Sequence, residues 1–213
     1  MEVFTLAVPK GRILKELKPL LDQAGIHPED EFFQEDSRKL IFSTSKKNLQ
    51  LIKVRSFDVA TFVSYGAAQM GVCGSDVLEE FNYPNIYNMI DLNIGKCRLS
   101  IAAPEEIGGE NIKNYSHIRI ATKYVNLTEK YFRNLGIQAE CIKLNGSIEL
   151  APKLGLCRRI VDLVSTGSTL KANKMQEGEK IMDISSRLVV NKNAYKTFKQ
   201  DINYFINLIE SSI

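Results

Sequence analysis

The chain has 213 residues, of which 44% are hydrophobic and 25% are charged, as in a folded globular protein rather than a disordered one. Its net charge is +3 and the basic residues are spread along the sequence, so we expect no nucleic-acid partner. No apolar run approaches the roughly 20 residues of a membrane helix and the start shows no secretory pattern, which predicts a cytoplasmic protein with no membrane contact.

Short β-rich runs alternate with helical patterns along the chain, and a first helix is predicted over residues 13–21, before Gly25. This alternation predicts an α/β fold with largely parallel sheets. The predicted strands are 4–8, 49–54, 70–73, 98–103, 118–122, 140–144, 160–164 and 187–190.

Two further helix starts are indicated by an acceptor followed three residues later by a glutamate. Asp76 with Glu79, and Asn126 with Glu129, have the spacing of a capping box. The chain then ends in a helical pattern of apolar residues at 195, 198, 202, 205 and 209. This pattern predicts either a helix packed on its own lobe or a seam for a partner subunit.

The cysteines at 73, 97, 141 and 157 are scattered, with no C-x-x-C pair. We therefore expect reduced structural cysteines and no zinc site. Composition changes around 93–97 and 183–186 predict two crossings between lobes. One lobe would comprise residues 1–94 plus 184–213, and an inserted second lobe residues 95–183, with a ligand cleft between them.

The stretch DLVSTGSTLKAN, residues 162–173, predicts a strand, a hydroxyl-rich loop and a helix beginning near Leu170. A phosphate monoester would be bound there by the free amides of the first helical turn and by the hydroxyl donors. Gly167 would let the backbone approach the phosphate closely. The hydroxyl-rich residues are Ser165, Thr166, Ser168 and Thr169. An ordinary N-cap turn is the alternative. Asp162, at the strand end, would accept hydrogen bonds from the hydroxyls of a ribose whose 5-phosphate the loop holds.

The segment ELAPKLGLCRRIVDLVSTGSTL, residues 149–170, resembles the signature of the ATP phosphoribosyltransferases, the first enzymes of histidine biosynthesis. Departures from the family pattern are Ala60, Gln69, Val125, Cys157 and Arg158. Similar blocks follow the family order at 6–17, 36–42, 54–78, 97–104 and 118–132. The resemblance implies a two-lobed fold like that of the type II periplasmic binding proteins.

The resemblance also implies the reaction: N1 of ATP attacks C1 of phosphoribosyl pyrophosphate, and pyrophosphate leaves with Mg²⁺ that the substrates carry, so no protein metal site is expected. Arg12 and Arg38 would act as catalytic residues on the leaving group. Residues expected to bind substrate besides Asp162 and the loop 165–169 are Lys10, Gly11, Arg55, Gly71, Asp76 and Glu149. Glu149 would contact ribose or Mg²⁺.

The chain is too short for the histidine-binding domain of long family members. It therefore resembles the short form, which implies a homodimer within a hetero-oligomer containing a regulatory subunit similar to histidyl-tRNA synthetase. Two alternatives stay open: a purine-type phosphoribosyltransferase, whose two adjacent acidic residues are replaced here by Asp162 and Leu163, and a two-lobed solute-binding protein.

Overall fold

The computed structural model describes residues 2–34, 36–107 and 109–213, which form two compact units. Unit 1 is Met1–Gly95 with Ser185–Ile213, and unit 2 is Lys96–Ile184. Both units combine a sheet with helices, so the α/β prediction is confirmed. Within the described ranges, no helix is long and apolar enough to cross a membrane.

Unit 1 is built on a six-stranded sheet in the order β2-β3-β1-β4-β11-β5. Its strands are β1 (Phe4–Pro9), β2 (Ile41–Ser43), β3 (Leu49–Val54), β4 (Met70–Gly74), β5 (Ile86–Asp91) and β11 (Ser186–Asn191). Its helices are α1 (Arg12–Gln23), α2 (Ser56–Ser64), α3 (Ser75–Phe81), α7 (Lys192–Thr197) and α8 (Lys199–Glu210), with a 3₁₀ turn at Asp30–Phe33.

Unit 2 is built on a five-stranded sheet in the order β10-β6-β9-β7-β8. Its strands are β6 (Cys97–Pro104), β7 (His117–Thr122), β8 (Gln138–Lys143), β9 (Arg159–Val164) and β10 (Met175–Ile184). Its helices are α4 (Val125–Asn134), α5 (Leu150–Lys153) and α6 (Ser168–Ala172), with a 3₁₀ turn at Ile112–Asn114.

The sheets are mixed, so the prediction of largely parallel sheets is wrong. In the described part of the chain, β1 pairs in parallel with β3 and β4, and β7 with β8 and β9, while the other five pairings are antiparallel. The antiparallel pairs come from β2, β5 and β10, which the sequence did not predict, and from the reversed directions of β6 and β11. Helical patterns between strands indicate crossovers but do not reveal such returning strands.

The C-terminal helix packs on its own unit, as the first of the two interpretations predicts. Ile202, Phe205 and Ile209 are buried in one core with Leu17 of α1 and Phe4 of β1. The Phe4 ring lies edge-on to Phe205, with centroids 6.0 Å apart. The opposite face of the sheet is covered by α2 and α3.

Both predicted capping boxes are wrong, because the helices begin before the residues expected to cap them. Gly74 occupies the N-cap of α3 and Tyr124 that of α4, each without a side-chain cap bond. Asp76 and Asn126 therefore lie inside the first turns. In the second case the Thr122 hydroxyl already accepts from the Tyr124 amide at 2.9 Å and turns the chain into the helix.

Candidate active site

Three neighbouring parallel strands of unit 1 end beside one another, and the predicted binding residues follow two of them directly. Lys10 follows β1 and Arg55 follows β3, and the Lys10 amide donates to the Val54 carbonyl at 2.9 Å. Asp76 lies just beyond β4, in the first turn of α3. Ligands of open α/β sheets bind at this carboxyl edge, so the topology gathers these residues where an anion could meet them.

Gly11 and Arg12 form the entrance to α1. Gly11 is the N-cap with φ of +88°, which a side chain would strain, and no atom lies within 4 Å of where its Cβ would be. Arg12 is half exposed, forms an ion pair with Glu16 at 3.4 Å and donates to the Gly95 carbonyl at 3.2 Å. The backbone at Gly11 is open to a ligand, and the guanidinium of Arg12 is held beside it.

A lysine-rich cavity of about 420 Å³ adjoins Lys10 and Gly11, and the sequence did not predict it. Its lining comprises Lys10, Gly11, Leu14, Lys15, Lys18, Phe33, Gln34 and Lys53. Four ammonium groups around one cavity favour anions. The cavity therefore extends the cationic character of the β1 edge beyond the residues that were predicted to bind.

Lys53 is the buried member of this group, with only 4% of its surface exposed. Its ammonium group donates to the carbonyls of Phe32 and Gln34, both at 2.9 Å. Burial, and then the charge of Lys10, lower the pKa of Lys53. The sequence does indicate that Lys53 is buried. Residues 49, 51 and 53 lie on the same face of β3, and Leu49 and Leu51 lie in the core.

Arg38 lies on the exposed segment that joins the 3₁₀ turn at Asp30–Phe33 to β2. The structure ties the start of this segment to the cavity, because Lys53 holds the Gln34 carbonyl. The placement of Arg38 beside Arg12 stays a prediction.

Gly71 and Asp76 have clear structural surroundings. Gly71 lies inside β4, where an added Cβ would stand 2.8 Å or less from Val59 and Val63 of α2, so this glycine lets the helix pack on the sheet. Asp76 is buried, and its carboxylate occupies the place of a Cβ at Gly74. Gly71 therefore has a packing role, and its expected contact with substrate stays a prediction.

In unit 2, the hydroxyl-rich loop follows β9 and enters α6. Gly167 takes φ of +77°, a left-handed conformation that glycine adopts without strain. The hydroxyls of Thr166 and Ser168 lie 3.0 Å apart, and the side chains of Ser165, Thr166, Ser168 and Thr169 are exposed. Because α6 has only five residues, its dipole contributes little to anion binding. The groups that could bind an anion are the hydroxyls and the loop amides.

Asp162 lies inside β9 rather than at its end, and two charged side chains face it. Its carboxylate accepts from the Leu163 amide at 2.8 Å. Burial first, and then the charge of Glu149, raise the pKa of Asp162 to about 6 against the opposing effects of that amide and Lys123. Lys123 follows β7, which runs parallel to β9, and the sequence did not single it out. The structure thus groups Asp162 with Glu149.

Two buried thiols can be set aside as nucleophiles, since burial raises the pKa of Cys73 and of Cys157. In the described ranges, no group of three or more His, Cys, Asp or Glu side chains is placed to hold a metal ion. The functional groups that the predicted site residues offer are therefore cations, hydroxyls and the Asp162–Glu149 carboxylates.

The fold is that of the periplasmic solute-binding proteins, which confirms the predicted fold class. The alkanesulfonate-binding protein SsuA from Xanthomonas axonopodis pv. citri superposes with a TM-score of 0.61 at 9% identity, covering 100% of this chain and 73% of that one. Such low identity shows the fold alone. Cations follow β1 and β3 and a hydroxyl-rich loop follows β9, so this chain carries groups suited to anions on a fold of this class.

Sequence comparison identifies the protein family, which the fold alone does not. The family model HisG: ATP phosphoribosyltransferase matches residues 55–211. An ATP phosphoribosyltransferase from Rhodospirillum rubrum is 57% identical over 202 residues, covering 94% of this chain and 89% of the relative, and one from Sphingopyxis alaskensis is 50% identical over 212 residues. The chain belongs to the ATP phosphoribosyltransferase family and is a pentosyltransferase.

A solved structure agrees with the family assignment. The ATP phosphoribosyltransferase (HisG:HisZ) complex from Thermotoga maritima contains a chain that superposes with a TM-score of 0.82 at 31% identity. The match covers 99% of this chain and 98% of that one. These relatives decide against the solute-binding alternative.

Proposed function

We propose that this chain joins N1 of ATP to C1 of phosphoribosyl pyrophosphate and releases pyrophosphate, as the first step of histidine biosynthesis. The observation that carries the proposal is the continuity of Asp162 with the hydroxyl loop. A carboxylate suited to ribose hydroxyls lies three residues before a loop whose exposed donors suit a phosphate, as one phosphoribosyl group requires.

In this proposal, unit 2 holds the phosphoribosyl group. Thr166, Ser168 and Thr169 donate to the 5-phosphate together with the amides at Ser165 and Gly167. Gly167 supports this role because its left-handed backbone turns the amides without a side chain in the way. Asp162 accepts from the ribose hydroxyls, and its partly buried position makes each such bond stronger than it would be in water.

The cationic residues of unit 1 stabilise the leaving group. As the bond from C1 to oxygen breaks, negative charge collects on the pyrophosphate, and fixed cations stabilise that charge more in the transition state than in the ground state. Arg12 and Lys10 form this group around the start of α1, with Arg55 beside Lys10, and Gly11 leaves the backbone there open to the ligand. Arg38 and Asp76 stay predictions, the first as a second catalytic arginine.

Mg²⁺ enters as part of the substrates and neutralises phosphate charge when bound. The residues present fit such a cation, because Asp162 and Glu149 bring two carboxylates close enough for one charge to raise the pKa of the other. Carboxylate oxygens are the ligands that Mg²⁺ prefers in proteins. Glu149 would hold the metal–substrate complex beside the ribose.

We also propose the short-form assembly: a homodimer joined by a regulatory subunit similar to histidyl-tRNA synthetase, in the cytoplasm. The structural relative from Thermotoga maritima, solved as a HisG:HisZ complex, supports the partner. The predicted lobes, 1–94 plus 184–213 and 95–183, are proposed as the bodies that bind substrate. The compact units support them, since their boundaries differ by one residue at each crossing.

Calorimetry on Asp162→Asn tests the assignment of unit 2. We expect the affinity for phosphoribosyl pyrophosphate to fall about tenfold or more, since the substitution removes a charge-assisted acceptor. Glu140→Gln is the matched control, because Glu140 is an exposed carboxylate of the same unit, on β8, that forms an ion pair with Arg119. Unchanged affinity of the Asp162 variant would refute the ribose contact.

A further inference from the structure

Arg98 connects the hydroxyl loop to the edge of the sheet. This residue lies on β6, and its guanidinium makes two hydrogen bonds to the Glu177 carboxylate, each 2.5 Å long. A further nitrogen donates to the Ser165 carbonyl at 3.3 Å. One planar side chain therefore joins the first residue of the loop to β10.

Strand register explains why Arg98 meets the start of the loop. β6 lies between β9 and β10, and Arg98 is paired with Val164, the last residue of β9, immediately before Ser165. Directly paired antiparallel residues project from the same face of a sheet. The guanidinium therefore lies where β9 passes into the loop. Glu177 lies on β10, where it is paired with Ala102 rather than with Arg98, and its carboxylate reaches the guanidinium along the strand direction.

Glu177, the partner of Arg98, borders a cavity beside the loop. A cavity of about 440 Å³ is lined by Thr166, Gly167, Lys171 and Glu177, among others. The hydrogen bond from Arg98 lowers the pKa of Glu177, so the pair is ionised around neutral pH. A two-pronged arginine–carboxylate pair fixes both partners in one geometry, which a single ammonium contact would not do.

We infer that Arg98, held in place by Glu177, is a positioning residue that fixes the entrance of the loop 165–169 for phosphate binding. The inference rests on the proposed function of that loop. Arg98 acts through the Ser165 carbonyl and is not assigned a substrate contact. Because its bond is to the loop backbone, its loss alters the placement of the amides and hydroxyls that follow, and small misplacements are costly in binding and turnover.

Kinetics of Arg98→Met test the inference. We expect KM for phosphoribosyl pyrophosphate to rise about tenfold, while KM for ATP changes less than about threefold. Glu177→Met should give a similar change, and the double variant should be no worse than either single one, because residues acting through one contact are not additive. Arg119→Met is the matched control, since Arg119 forms an arginine–glutamate pair with Glu140 at 3.0 Å on β7 and β8.

Hydrogen exchange of the loop amides, measured by mass spectrometry without ligand, separates this inference from the proposed function. Faster exchange at 165–170 in Arg98→Met but not in Arg119→Met is the expected result. If the parent protein bound no phosphoribosyl pyrophosphate, the proposed function would fail and the loop exchange would still test the positioning. Unchanged loop exchange, or equal changes of both KM values, would overturn the inference.

Discussion

Arg12 donates a hydrogen bond to the carbonyl of Gly95, 83 positions later in the chain, at 3.2 Å. Glu16 completes the contact by accepting from the Gly95 amide at 2.6 Å, so one turn of α1 holds both polar groups of this glycine. Gly95 takes φ of +66°, and an added Cβ would stand 2.7 Å from the Ser186 hydroxyl. The proposed leaving-group arginine is therefore oriented by the backbone where the chain leaves unit 1.

Arg12→Ala should lower kcat by about 10² or more, the scale of losing one preorganised charge contact. Arg133→Ala is the control, because Arg133 is an exposed arginine in the last turn of α4. Steady-state kinetics and circular dichroism on both variants provide the test. A change in kcat below about threefold in a normally folded Arg12 variant would remove Arg12 from the mechanism.

Lys53→Met should destabilise unit 1 by about 2 kcal/mol, because the carbonyls of Phe32 and Gln34 lose their donor while methionine keeps most of the apolar volume. Loosening this segment should also lower turnover, since the segment continues to Arg38. Urea unfolding measures the first effect, with Lys47→Met as the exposed-lysine control. Equal unfolding free energies for the two variants would show that the Lys53 bonds do not support the segment.

Much of the fold could be predicted because its central strands are strongly apolar. β3 was predicted with its observed bounds, Leu49–Val54, and β9 within one residue. β10 was missed because it is an edge strand with polar and charged residues around Gly178, paired only with β6 among the described strands. Pairing at an edge depends on the neighbouring strand rather than on an apolar pattern of its own.

The candidate site was partly predictable for a similar reason. The loop 165–169 shows its chemistry in consecutive residues, and its glycine has a left-handed backbone conformation. Lys53 and Lys123 were missed because their importance comes from neighbours far away in sequence. The ammonium group of Lys53 is held by the Phe32 carbonyl of the turn at Asp30–Phe33. Lys123 comes near Asp162 because β7 pairs in parallel with β9.

Asp162→Asn should stabilise the protein at pH 8 while weakening substrate binding. The pKa of this carboxyl rises from its ordinary value of 3.8 to about 6 on folding, so its contribution to stability is full below pH 4 and is lost as the pH rises through 6. Above that range the ionised aspartate costs about 3 kcal/mol, which asparagine avoids.

Unfolding free energies of the parent and Asp162→Asn, measured from pH 4 to pH 8, test this dependence. The difference between the two proteins should grow with pH in favour of the variant. A constant difference across the range would mean that the carboxyl titrates alike in the folded and unfolded chains. Such a trade-off between stability and binding is typical of functional sites.

Gly74→Ala should destabilise unit 1 by about 2 kcal/mol, because the new methyl group would stand 2.1 Å from an Asp76 carboxylate oxygen and force this buried side chain to move. Gly146→Ala is the control, since no atom lies within 4 Å of its Cβ position. Thermal unfolding of both variants measures the effect. Equal midpoints would contradict the close packing of Asp76 over Gly74.

Pyrophosphate release by the purified chain, alone and mixed with a HisZ-type subunit, tests the central claim most directly. The samples contain phosphoribosyl pyrophosphate and Mg²⁺ with either ATP or adenine as the acceptor. We predict release with ATP and none with adenine, in at least the mixed sample. Release with adenine, or no release with ATP even when the subunit is present, would contradict the proposed reaction.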